Sequence, residues 1–189
     1  MFHSLEKWFF QRKIARGQMA EEEVELYRYA YSLLFMQAGN LLAAAAIGIC
    51  LRAIPFLVLF LLVFIPLRSF AGGYHASTPF RCSVLSALME LGAAGAFHFG
   101  WLARLEGALF LAAWGSGLVI GLTAPLEAKN KPLDDGERKL YGRRARQLLA
   151  AALAVMSVSM LYRVHLMIQA VSSALILEAV LLLFGKSRM

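Results

Sequence analysis

An all-α, polytopic integral membrane protein is predicted by three features: an apolar excess, the spacing of the apolar runs, and the placement of the basic residues. Of the 189 residues, 60% are hydrophobic and 16% charged, and the mean hydropathy is +0.63. Soluble domains lie nearer half apolar and a quarter charged. Six apolar segments of helical character follow one another, at roughly 30–51, 53–67, 83–103, 107–126, 147–162 and 164–184. The 19 Lys and Arg outnumber the 12 Asp and Glu, a net charge of +7. The cations flank the apolar runs, so they point to anionic lipid and cytoplasmic loops, not to nucleic acid.

The elements divide as 1–28, an amphipathic N-terminal segment, 29–185, a six-helix transmembrane domain, and 186–189, a short basic tail. Within residues 2–16, Phe2, Leu5, Trp8 and Phe9 share one helical face, while Lys7, Arg12, Lys13 and Arg16 fall mostly elsewhere. That pattern suits a helix lying in the bilayer interface. Glu21, Glu22 and Glu23 then suit the first turn of a helix, where the macrodipole favours acids. No secretory signal core or cleavage site is visible at the start.

A span needs about 20 residues at about 1.5 Å each. Four of the segments reach that length. The second and fifth are shorter and require flanking residues or a thinner bilayer. With both termini cytoplasmic, only Arg52, Arg104 and Arg163 fall in outer turns, leaving 16 of the 19 basic residues inside. That asymmetry follows the positive-inside rule and puts the loops 68–82 and 127–146 on the cytoplasmic side. Small residues within the spans, Ala43 to Ala46 and the Gly117/Gly121 pair, permit close helix approach, either within one chain or in a dimer.

The loop Arg68 to Cys82 reads RSFAGGYHASTPFRC. A cysteine acts as a nucleophile through its thiolate, and a histidine can take the thiol proton and return it to a leaving amine. Arg68 and Arg81 add positive potential there. Thr78 or Ser77 is a good N-cap and Pro79 suits the first helical position, which places Cys82 in the first turn of the third span. On one continuous helix His75 and Cys82 would lie about 10.5 Å apart along the axis, too far for a hydrogen bond. Gly72, Gly73 and Pro79 therefore predict a bent loop that returns His75 to Cys82. Spacing alone leaves open a membrane-edge histidine beside a small apolar cysteine. Two ligands are too few for a zinc site. No cofactor is expected, and Cys50 and Cys82 are expected as reduced thiols.

The stretch Arg68-x3-Gly72-Gly73-x-His75-Ala76-x5-Cys82 resembles the signature of the accessory gene regulator B family. The resemblance extends to Ala124-Pro125, to Asn130-Lys131-Pro132 and the basic stretch after it, and to the length and hydropathy of the chain. It implies a membrane cysteine endopeptidase of quorum sensing, in which Cys82 is the nucleophile and His75 the general base and acid. Its substrate would be a short autoinducer propeptide, cut on the cytoplasmic side through an acyl-thioester and cyclised to a thiolactone or lactone. Arg68, Gly72 and Gly73 would shape the site, and members often act as homodimers.

Other polar residues in the spans are expected to face the bundle interior. Gln37 could orient His75 or donate to an oxyanion; the alternative is an interhelical hydrogen bond. Glu178 is placed to pair with a loop arginine. His98 and His165 fall at the outer face. Asp134-Asp135-Gly136 invites comparison with CDP-alcohol phosphotransferases, but the further aspartates their motif needs are missing. Two other classes compete with the peptidase: a small transporter using the intramembrane polar residues, and a non-catalytic membrane scaffold.

Overall fold

The computed structural model of the chain describes residues 24–74, 78–127 and 134–187. The amphipathic segment 2–16, the acids Glu21 to Glu23, His75 and Asn130-Lys131-Pro132 lie outside the described residues. Those described form α1 (Val24–Cys50), α2 (Ile54–Ala71), α3 (Pro79–His98), the single turn α4 (Trp101–Arg104), α5 (Glu106–Thr123), α6 (Asp135–Leu161) and α7 (His165–Lys186). Among the described residues there is no strand beyond one isolated bridge, Gly72 with Leu126. The fold is that of an all-α, multi-pass membrane protein. Five helices, α2, α3, α5, α6 and α7, are long and apolar enough to cross a bilayer, and the apolar part of α1 is Leu34–Cys50. The described residues divide into two compact units, which meet between Leu42 and Ala43.

In the second unit the central helix is α7. Its apolar stretch is 67% buried, against 17–33% for the other four crossing helices. Ile168, Val171, Leu175 and Leu182 are wholly enclosed. With little hydrophobic drive available between helices in lipid, association rests on close packing. Gly117 shows this. A Cβ there would stand 3.1 Å from Leu153 Cδ1, and one on Gly121 would stand 3.8 Å from Leu149 Cδ2. The small-residue pair thus seats α5 against α6 within the chain. On the other side Phe56, Phe60 and Phe97 tie α2 to α3, with ring centroids of Phe56 and Phe97 4.7 Å apart.

Three boundaries differ from those the sequence predicts. The second span does not stop before Arg68, because α2 runs through Pro66 to Ala71. Proline lacks an N–H and crowds the preceding turn, but membrane helices accommodate it where neighbours re-satisfy the backbone. The third span does not continue to residue 103. It ends at His98, and Gly100, at φ 71°, redirects the chain into α4. The expected basic loop 127–146 is mostly helix, since α6 starts at Asp135. Asp134 Oδ1 accepts from the Glu137 amide at 2.6 Å, and the Glu137 carboxylate accepts from the Asp134 amide at 3.4 Å. This reciprocal capping box satisfies two amides that a helix start otherwise leaves unpaired.

Candidate functional site

Four chain segments meet at one end of the second unit: the end of α2, the start of α3, the link after α5, and the last turns of α7. The N-terminus of α3 forms as its sequence predicts. Thr78 is the N-cap, in extended conformation, and Pro79 opens the helix. Thr78 Oγ1 accepts from the Arg81 amide at 3.3 Å. The Cys82 amide donates to the Thr78 carbonyl at 3.1 Å, the bond with which an α-helix begins. Cys82 is half-buried and carries a free thiol.

The glycine pair follows α2 directly. Gly72 and Gly73 adopt φ of 77° and 116°, values that L side chains rarely take. Crowding at Gly72 reinforces the requirement, because a Cβ there would fall on the carbonyl oxygen of Leu126. The resulting arm, residues 72–74, is pinned on three sides. The Leu126 amide donates to the Ala71 carbonyl at 2.8 Å, and the Tyr74 amide donates to the Leu181 carbonyl at 3.0 Å. Arg68 supplies the third attachment: Nη1 donates to the Gly72 carbonyl at 2.8 Å, and Nη2 donates to the Tyr74 carbonyl. One planar guanidinium thus bridges two carbonyls two residues apart, a geometry that its rigid fork permits. Arg68 also interacts electrostatically with Cys82 and with Glu178.

Glu178 is fully buried on α7, with Oε1 3.8 Å from Arg68 Nη1. The pairing of Glu178 with an arginine at this end is the one the sequence predicts, although that arginine belongs to a helix and not a loop. Of the predicted site residues, the structure gathers Arg68, Gly72, Gly73 and Cys82 at this end of the bundle. Gln37 is exposed on α1, within the unit that ends at Leu42. His98 and His165 sit at the opposite end. There His165 Nδ1 meets Glu106 Oε1 at 2.9 Å, and Gln169 Nε2 donates to Glu106 Oε2 at 3.1 Å. No cluster of three or more metal-ligating side chains occurs among the described residues.

Gly185 joins the site without any signal in the sequence. A Cβ there would stand 2.8 Å from the Tyr74 nitrogen and 2.9 Å from the Gly73 carbonyl carbon. The glycine therefore leaves room for the arm to cross α7. A side chain's absence is informative only once the neighbour that fills the space is known.

These features define a class: a polytopic helical membrane protein with a cysteine at a helix start and an arginine-held glycine arm at the same end of the bundle. The model of the accessory gene regulator B family matches residues 9–184, and the chain belongs to that family. Membership carries a role in processing a quorum-sensing peptide, and with it a propeptide substrate in a membrane setting. No curated protein and no solved structure matches the chain.

Proposed function

We propose that the chain is a membrane cysteine endopeptidase that cuts an autoinducer propeptide and promotes its cyclisation. The observation that carries this reading is the placement of Cys82 in the first turn of α3, at the same end of the bundle as Arg68 and the glycine arm. Reactive cysteines favour helix starts with a cation nearby. His75 follows Tyr74 in sequence, so the chain reaches it directly from the arm that Arg68 holds. Gly72 and Gly73 set the path of that arm.

The chemistry has two stages. Cys82 Sγ attacks the scissile carbonyl as His75 takes the thiol proton, and the C–N bond breaks as His75 returns that proton to the departing amine. The N-terminal part of the propeptide stays on Cys82 as a thioester. A Cys or Ser side chain of that fragment then attacks the thioester. The ring closes as a thiolactone or lactone, and the Cys82 thiol is restored. Thioester exchange is nearly balanced in energy, so exclusion of water favours the ring over hydrolysis.

The cytoplasm is the proposed side of this site. The glycine arm and the start of α6 stand at one end of the bundle, and of the second unit's described basic residues Arg68, Arg81, Arg138, Lys139, Arg143, Arg144, Arg146 and Lys186 fall toward it. Arg52, Arg104 and Arg163 mark the other end. Co-expression with a propeptide carrying an internal Cys or Ser tests the proposal. Mass spectrometry should find a cut, cyclic product with the wild type and none with C82A or H75A. Undiminished product from either variant would sink it.

A further inference from the structure

We propose that Glu178 is a positioning residue for this site, acting through Arg68 to hold the glycine arm; the inference rests on the peptidase reading above. Three observations carry it. The Glu178 side chain has no exposure to solvent. Among the described residues neither carboxylate oxygen has a hydrogen-bond partner. Its ion-pair contact is with Arg68 Nη1, at 3.8 Å.

A separation of 3.8 Å is beyond hydrogen-bond range, so the contact is Coulombic. A buried carboxylate without donors is costly, and in membrane spans such residues mark function more often than packing. The arginine facing it is no idle cation. The same Nη1 that faces Glu178 donates to Gly72, and Nη2 donates to Tyr74. Arg68 is itself largely enclosed, with 17% of its side chain exposed. An enclosed guanidinium bound only to neutral carbonyls keeps a net charge. Glu178 supplies the opposite charge that lets Arg68 stay inward, on the two carbonyls. It also stands on α7 three residues before Leu181, whose carbonyl accepts from Tyr74. One helix therefore fixes the arm twice, once by a direct hydrogen bond and once through Arg68.

Charge and volume make opposite demands at this position, and that separates positioning from packing. E178Q keeps the volume and removes the charge. E178D keeps the charge and gives up one methylene. Kinetics on a synthetic propeptide with an internal cysteine and an acidic tail, one that the wild type cuts, test the idea. E178Q should lose about tenfold or more in kcat with KM little changed, while E178D stays within about threefold of wild type. The double variant R68Q/E178Q should be no slower than R68Q alone to within about twofold, because the two residues act in series.

Full turnover by E178Q, a larger loss in E178D than in E178Q, or losses that multiply in the double variant would each overturn the proposal. Melting temperature and alkylation of Cys82 by a maleimide report folding. If E178Q does not fold, R68K is the deciding variant: it keeps the charge pair but one ammonium cannot bridge both carbonyls, so kcat should still fall about tenfold. Full turnover by R68K would then overturn the proposal. C82A separates the two readings. Processing by C82A refutes the Cys82 mechanism itself, whereas an inactive C82A beside a fully active E178Q refutes only the role of Glu178.

Discussion

Replacing Gly185 by alanine sets two physical effects against each other, and their signs differ. Within a helix, Gly→Ala removes backbone freedom from the unfolded chain and stabilises by about 0.5–1 kcal/mol. At Gly185 the new methyl would stand 2.8 Å from the Tyr74 nitrogen, 2.9 Å from the Gly73 carbonyl carbon and 2.8 Å from Leu126 Cδ2. Two of those atoms are backbone, and the arm they belong to cannot yield freely. Moving it outward breaks the Tyr74–Leu181 hydrogen bond, worth about 0.5–1.5 kcal/mol, and strains two bonds to a charged guanidinium, worth about 1.5–3 kcal/mol each. Keeping it in place costs about 1–3 kcal/mol of overpacking. Overpacking is the smaller of the two costs, so the correct arm should lose about 1–3 kcal/mol relative to displaced forms. At about 1.4 kcal/mol per factor of ten, that weakens the correct arm against displaced forms by about 5- to 140-fold. Propeptide turnover should fall to match, with a smaller fall in the melting temperature of the purified protein. Gly95 is the control, since a Cβ there meets nothing within 4 Å. G95A should be neutral or slightly stabilised. A G185A variant that melts higher than wild type and processes normally would refute the packing of the arm against α7.

Three further substitutions probe the same end of the bundle. G72A adds a Cβ at φ 77°, against the Leu126 carbonyl, and should reduce processing at least as severely as G185A. A normal rate would mean that the bridge between Gly72 and Leu126 is not part of the working state. R68K, read by single-turnover kinetics, should retain substrate binding and lose the chemical step by about tenfold, because lysine has no fork to join the carbonyls of Gly72 and Tyr74. T78A removes the acceptor for the Arg81 amide and should cost about 1 kcal/mol at the start of α3, enough to lower turnover about fivefold. T78S should restore it, and failure of that rescue would remove the cap from the mechanism.

Much of this architecture is legible in the sequence, because lipid leaves few options for a backbone. The apolar runs locate the crossing helices, and the Thr78-Pro79 pair locates the start of α3 and with it Cys82. The boundaries are less legible where local signals conflict. Pro66 reads as the end of a helix, yet α2 continues for five more residues, which moves Arg68 from a loop into a last turn with fixed aim. The start of α6 was open to reading, since Asp134-x-x-Glu137 is a capping box ahead of an apolar run. Charge obscured it, because Arg138, Lys139, Arg143, Arg144 and Arg146 resemble a solvated loop. Part of that charge is paired: Arg138 binds Glu127, and Arg144 lies over the Phe70 ring at 5.8 Å. The carbonyl partners of Arg68 were not legible at all. Carbonyls of Gly72 and Tyr74 carry no residue-type signature, and the contact of Gly185 with the arm depends on a tertiary crossing.

The most direct test of the central claim is capture of the acyl-enzyme. Wild-type protein in liposomes, given a propeptide whose ring-closing Cys or Ser is replaced by alanine, cannot complete the second stage. Intact-protein mass spectrometry should then show one adduct with the mass of the N-terminal fragment, mapped to Cys82, released by hydroxylamine, and missing from C82A. Cleavage of that propeptide at the normal rate by C82A, or an adduct mapped to Cys50, would contradict it.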